Sequence, residues 1–175
     1  MTVKEAIASR KSVRTYTGEK ISDEELKTLL TAAQAAPIGM GAYDSMHLTV
    51  ITDPQLLAAI NDNAKEFFKN PNANVLFDCP TLIVVSTKLG TAMDAVAYAN
   101  AAIVVENMAL QAVELGIGVC HIWGAIMGMK GKDELIARLG LPEGFSPVCA
   151  ATFGKTDFVY EEREIPEDRI AVNYI

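Results

Sequence analysis

The sequence predicts an α+β fold, and three observations carry that reading. Two S/T-x-x-E boxes and an Asp-Pro pair mark helix starts. Thr81 to Ser86 is a β-branched apolar run of the kind that makes a central strand buried on both faces. Residues 92–115 read as one long helix whose apolar positions, Ala97, Ala101, Val104, Val105, Met108 and Ala112, spread too widely for a single stripe.

Taken in order, Thr2-x-x-Glu5 and Ser22-x-x-Glu25 are capping boxes, in which a hydroxyl and a carboxylate satisfy free amides at a helix start. They open helices near 3–9 and 23–35. Leu26, Leu29, Leu30 and Ala33 give the second an apolar stripe. Pro37 ends it, because proline disfavours helix at the preceding residue. Residues 38–45 are a Gly-containing connection, and Met46 to Thr52 is a strand. Asp53 caps a further helix with Pro54 in its first turn. Pro71-Asn72-Ala73-Asn74 interrupts the pattern. After the central strand and the long helix, Val119 to Ile122 and Pro147 to Phe153 supply strands, with a Lys132 to Leu139 helix between them. The tail from Glu161 is charged and then apolar through Val172-Asn173-Tyr174-Ile175, so it is expected to pack on the body or on a partner chain. The surplus apolar surface of helix 92–115 calls for a homodimer interface. No linker, repeat or low-complexity tract divides the chain, and one domain over 1–175 is expected.

Composition narrows the function. Half of the 175 residues are hydrophobic, which argues against disorder. A formal net charge of -7 argues against a nucleic-acid partner, whose phosphates demand a basic face. The long helix carries Asp94, Asn100, Glu106, Asn107, Gln111 and Glu114, a polarity that argues against a membrane span. Cys79, Cys120 and Cys149 are odd in number and lie in or beside apolar runs, which fits buried thiols in a reducing, cytoplasmic setting better than a disulfide framework. The first ten residues read as a capped helix rather than a secretory leader. His47 and His121 have no partners at metal-ligand spacing, so no metal site is expected. Gly39-x-Gly41 and Gly116-x-Gly118 lack the third glycine of a dinucleotide fingerprint, and no Walker pattern occurs.

The chemistry concentrates in Arg10-Lys11-Ser12-Val13-Arg14-Thr15-Tyr16. On extended backbone residues 10, 12 and 14 share one face. At roughly 3.3 Å per residue Arg10 and Arg14 start about 13 Å apart, too far for both to grip one phosphate. A long anionic ligand matches better, with Arg10 and Ser12 at its phosphate end and Arg14 farther along. A solvated, charged connector is the alternative reading of the same residues.

Ala6-Ile7-Ala8-Ser9-Arg10-Lys11-Ser12-Val13-Arg14-Thr15-Tyr16 resembles the N-terminal signature of the nitroreductase-like flavoproteins. The neighbouring segments follow in the family's order: Ile21-Ser22 through Ala36-Pro37, a strand, an Ala-rich helix ending Leu115-Gly116-Ile117-Gly118, then Cys120-His121-Ile122-Trp123-Gly124, and Leu139-Gly140-Leu141-Pro142-Glu143-Gly144-Phe145. The resemblance implies a three-layer, homodimeric fold with a central mixed sheet flanked by helices. It also implies non-covalent FMN at each subunit interface and NAD(P)H as a transient reductant.

The same resemblance assigns residues. Arg10, Lys11 and Ser12 would meet the phosphate, and Arg14 would reach the pyrimidine side of the ring, where a cation favours the charge that reduction creates. Ile122, Trp123 and Gly124 would lay backbone against the flavin, with Gly124 permitting close approach. Pro37, Ile38 and Gly39 would reach a flavin held mainly by the other subunit. Asn72 is a candidate for the pyrimidine edge, although a turn Asn after Pro71 has an ordinary structural reading. Arg163 is placed to close over the phosphate, with Lys155 in reserve and a solvated turn among Glu161, Glu162 and Glu164 as the competing reading. Ala42-Tyr43-Asp44-Ser45-Met46 departs from the Asn-x-Gln-Pro-Trp stretch of many members and lacks its polar groups. No catalytic side chain is implied, since the cofactor carries the redox chemistry. The implied activity is ping-pong transfer from NAD(P)H to a small aromatic acceptor, a nitroaromatic or quinone. The alternatives are reductive dehalogenation, or flavin storage or ligand binding without NAD(P)H turnover.

Overall fold

The computed structural model describes residues 1–175. The chain runs α1 (Val3–Ser9), α2 (Asp23–Gln34), β1 (Met46–Ile51), α3 (Pro54–Phe67), β2 (Thr81–Lys88), α4 (Asp94–Glu114), β3 (Gly118–His121), α5 (Gly124–Met129), α6 (Asp133–Ala137) and β4 (Phe145–Gly154). Both expected capping boxes are formed, Thr2 with Glu5 and Ser22 with Glu25. Asp53 accepts from the Gln55 amide at the start of α3. Each of these helices therefore begins where a side chain replaces the missing intrahelical partner.

The sheet order is β1-β2-β4-β3. Strand β2 is central and buried from Thr81 through Thr87, as its β-branched run predicts. Its alternate residues feed two cores. Ile83 and Val85 join Leu29, Ala33, Val105 and Met108 under α2 and α4, while Leu82 and Val84 join Ile60, Cys120, Ile122 and Met129 under α3 and α5. Helices thus cover both faces of the sheet in three layers. The sheet differs from the expected mixed one in a detail: all three strand pairings are antiparallel. The apolar tail forms no strand.

Helix α4 accounts for its wide apolar spread. Eight residues, from Asn100 to Val113, are buried against the sheet and its neighbours. It is long and apolar enough by composition to cross a membrane, yet here it is a core helix. Its other side leaves Tyr98 51% and Ile103 38% exposed.

Two elements differ from expectation. Helix α5 is not signalled in the sequence because it has six residues, no side-chain cap and glycines at both Gly124 and Gly128. Gly128 marks where α5 crosses α3: a Cβ there would meet the Ala64 Cα and N at 2.7 Å. The tail beyond residue 163 is exposed throughout and does not pack on the body.

Candidate functional site

Segment 10–16 leaves α1 at Arg10, whose amide donates to the Ala6 carbonyl. It is not a strand of the sheet. Two contacts hold it beside β3 and β4 instead. The Val13 amide donates to the Val119 carbonyl at 2.8 Å, and the Tyr16 phenol lies 3.0 Å from the Val13 carbonyl and 2.7 Å from Thr152 Oγ1. Val13 is buried, which leaves its neighbours Ser12 and Arg14 on the more exposed side of the segment. Burial raises the Tyr16 pKa, so the phenol stays a neutral hydrogen-bonding group.

Cys120 on β3 reports where that face points. Burial pushes its thiol pKa up, opposed by the Arg14 charge, a Ser12 hydrogen bond and the Arg10 charge. All three residues are therefore close enough to β3 to act on the Cys120 thiol. Arg14 and Cys120 also line a cleft of about 540 Å³, with Phe68, Asn70, Asn74 and Phe77 on one side and His121 to Gly124 on the other. The Arg14 guanidinium lies over the Phe77 ring, 5.5 Å from its centroid. Trp123 stands on the rim, 63% exposed.

The cleft offers backbone donors as well as a cation. The Ile122 amide is committed to the Ala150 carbonyl, whereas the first amide committed within α5 belongs to Met127. The Trp123 and Gly124 amides, at the cap and first turn of that short helix, are left to a ligand or solvent. A side chain at Gly124 would meet Phe68 at 3.0 Å and Val75 at 3.2 Å. Glycine lets Phe68 and Val75 pack directly against the start of α5.

The other expected residues fall in three places. Lys11 is exposed, with its ammonium 5.5 Å from the Phe158 ring centroid. Arg163 folds back on the end of α1, donating from its amide at 3.2 Å and from Nε at 2.9 Å to the Ala8 carbonyl. That places it at the C-terminal end of α1, from which the basic segment departs. Lys155 is paired instead with Glu25 at the start of α2. Pro37, Ile38 and Gly39 lie outside the Arg14 cleft: Ile38 lines a separate cavity near Tyr43 and His47, and the Gly39 amide donates to Asn100 Oδ1 at 3.1 Å. Gly39 packs so closely on α4 that a Cβ would lie 2.9 Å from Val96 Cγ1. Segment 43–45 is a single helical turn, with Tyr43 Oη donating to the Ala36 carbonyl and Ser45 Oγ to that of Ala42.

Asn72 is exposed, and its amide donates to Asn70 Oδ1. Asn70 and Asn74 line the cleft in its place. Sequence reasoning also passes over Glu106, which sits between Arg10 and His121 at 3.7 and 3.2 Å. Its signal is in the sequence: a lone carboxylate in the middle of an apolar helix.

The comparisons agree with this architecture. The family model described as Nitroreductase family matches residues 7–155. An Archaeoglobus fulgidus protein, provisionally named as an NADH dehydrogenase/NAD(P)H nitroreductase, is 27% identical over 172 residues, covering 94% of this chain and 93% of that protein. A nitroreductase with bound FMN from Bacteroides fragilis NCTC 9343 superposes with a TM-score of 0.83 at 25% identity, covering 99% of this chain and 100% of that one. A nitroreductase with bound FMN from Desulfitobacterium hafniense DCB-2 gives 0.86 at 22% identity, over 99% and 100% of the two chains. With the family model matched from within α1 to the end of β4, the chain belongs to the nitroreductase family.

Proposed function

We propose that the protein is an FMN-dependent oxidoreductase that takes hydride from NAD(P)H and reduces small aromatic acceptors of the nitroaromatic or quinone type. The observation that carries this reading is the single cleft shared by Arg14 and the backbone of 121–124. Its donors suit a flavin. Arg14 is a fixed cation, the Trp123 and Gly124 amides are available donors, and Phe68, Val75 and Phe77 give apolar walls for a flat ring. Arg10, Ser12, Lys11 and Arg163 form the basic end for the phosphate, where a guanidinium fork matches its oxygens.

FMN, when bound, supplies the hydride-accepting and electron-donating chemistry. The chain's own residues bind, orient and tune it. Arg14 lowers the cost of the negative charge that reduction brings to the ring, by placing a positive charge there in advance. Phe77 holds that guanidinium from behind. Gly124 lets the apolar Phe68 and Val75 close on the start of α5, beside the amides that would meet the ring. No side chain has to act as a nucleophile.

The reading includes a homodimer of single-domain chains. It is supported by exposed Tyr98 and Ile103 on α4, by the exposed apolar tail residues Ile170, Val172, Tyr174 and Ile175, and by the position of Pro37 to Gly39 away from their own chain's cleft. The three free cysteines support a reducing, cytoplasmic setting. Steady-state oxidation of NADH and NADPH, with and without a nitroaromatic or quinone, tests the activity. Acceptor-dependent oxidation is expected. Flavin binding without any NAD(P)H oxidation would favour storage or another task instead.

A further inference from the structure

We infer that Glu106 sets how strongly this protein distinguishes a phosphorylated flavin from an unphosphorylated one, by holding a negative charge against Arg10. The inference rests on the flavin reading given above and concerns the phosphate end of that site.

Three elements meet at this carboxylate. Glu106 projects from the middle of α4, Arg10 leaves the end of α1, and His121 ends β3. Glu106 Oε1 lies 3.7 Å from Arg10 Nε, and Oε2 lies 3.2 Å from His121 Nε2. The other acidic residues of α4 have partners away from the site, Glu114 among them with the Met1 amino group at 3.9 Å. Asp94 accepts from the amides of Gly90 and Thr91, and Glu114 accepts from Gln111. Glu106 alone pairs outside its helix with groups at the candidate site.

The position matters because of charge balance. Arg10 carries one positive charge, and the carboxylate beside it cancels much of that charge as seen by an approaching anion. Neither group is deeply buried: the Arg10 side chain is 25% exposed and that of Glu106 42%. Water therefore screens the pair without abolishing it. A flavin phosphate drawn to Arg10 arrives within several ångströms of Glu106 and is repelled by it. Of the other basic candidates for the phosphate, Lys11 is exposed and Arg163 is turned to the Ala8 carbonyl. Arg10 is thus the cation whose effective charge Glu106 governs. At the ring end Glu106 touches His121 on the cleft wall, but the cation there, Arg14, has Phe77 and no carboxylate partner. The consequence is a site that draws more of its affinity from the ring, and less from the phosphate, than its basic residues suggest.

The test compares Kd values for FMN and riboflavin in the full chain, wild type against Glu106→Gln, with Glu106→Ala as a second charge-removing variant. Removing one negative charge about 6 Å from a dianion should tighten FMN roughly three- to tenfold at low salt. Riboflavin should change less than twofold, and the FMN gain should shrink at high salt. Unchanged or weakened FMN binding in both variants would overturn the inference and make Glu106 a support for Arg10. Equal tightening of both flavins would also overturn it, since the effect would not involve the phosphate. If wild type and variants bind neither flavin, the flavin reading itself fails, and this inference with it.

Discussion

Tyr16 Oη lies 2.7 Å from Thr152 Oγ1, a contact between residues 136 positions apart that fixes the end of the Arg10 to Tyr16 segment on β4. The same phenol reaches the Val13 carbonyl, and Thr152 donates to the Cys120 carbonyl at 3.2 Å. The basic segment, β4 and the cleft edge at β3 are thereby joined through two hydroxyls. The tyrosine ring also packs against Gly154 and Gly118, where a Cβ would lie 2.9 and 3.1 Å from it.

Tyr16→Phe keeps the ring and removes the hydroxyl. It should cost about 1–2 kcal/mol of stability, because buried partners lose a hydrogen bond. Urea unfolding of wild type and variant measures this. A loss below about 0.3 kcal/mol would show that the contact is not used.

Arg10 and Arg14 should separate in their effects although both are arginines. Arg10→Ala should weaken FMN by about 1.5–3 kcal/mol, the range for a lost charged hydrogen bond, and weaken riboflavin much less. Arg14→Ala should lower the flavin midpoint potential and slow reduction by NAD(P)H more than it lowers occupancy. Affinities for both flavins, with the midpoint potential of each variant, decide the matter. Equal weakening of both flavins by Arg10→Ala, with an unmoved potential for Arg14→Ala, would return the motif to a charged connector.

Gly128→Ala should destabilise the fold by about 1–3 kcal/mol, as overpacking does. The new methyl would meet the backbone of Ala64 rather than a side chain that can move. Because α5 begins at the cleft wall, the variant should also loosen flavin binding. Thermal unfolding with and without FMN checks both effects.

Glu25 gives a pH test. Burial alone would raise its pKa, but hydrogen bonds from Lys155 and the Ser22 amide, with the Lys155 charge, outweigh it and hold the carboxyl below its usual 4.5. A depressed folded-state pKa contributes stability that is complete above the unfolded value and is lost as pH falls through the folded one. Glu25→Gln should therefore cost about 0.5–1 kcal/mol at neutral pH. Its urea midpoint should converge on that of wild type as pH falls below the unfolded carboxyl value. A gap that persists undiminished in acid would exclude the ionised pair as its cause.

Much of this was legible in the residues. Capping boxes and the β-branched run locate α1, α2 and β2 because those signals are local. Helix α5 escapes because its formation depends on the close crossing with α3 that Gly128 permits, a tertiary cause with no local signature. The alternate spacing of Arg10, Ser12 and Arg14 is legible in the sequence, but what holds the segment is not: a single amide bond and Tyr16 do so rather than strand pairing. Asn72 fails to line the cleft because the turn that contains it presents Asn70 and Asn74 instead. Glu106 is visible as an oddity of α4, but its partners lie 96 residues before it and 15 after it and meet only in the fold.

We propose above all that the cleft between Arg14 and Trp123 holds FMN that NAD(P)H can reduce. The direct measurement loads the purified chain with FMN, removes free flavin by gel filtration, and records the visible spectrum anaerobically before and after adding NADH or NADPH. Flavin bands near about 370 and about 450 nm are expected to travel with the protein, with loss of the longer-wavelength band on addition of a nicotinamide donor. Protein that emerges colourless, or bound flavin that neither NADH nor NADPH bleaches, would contradict it.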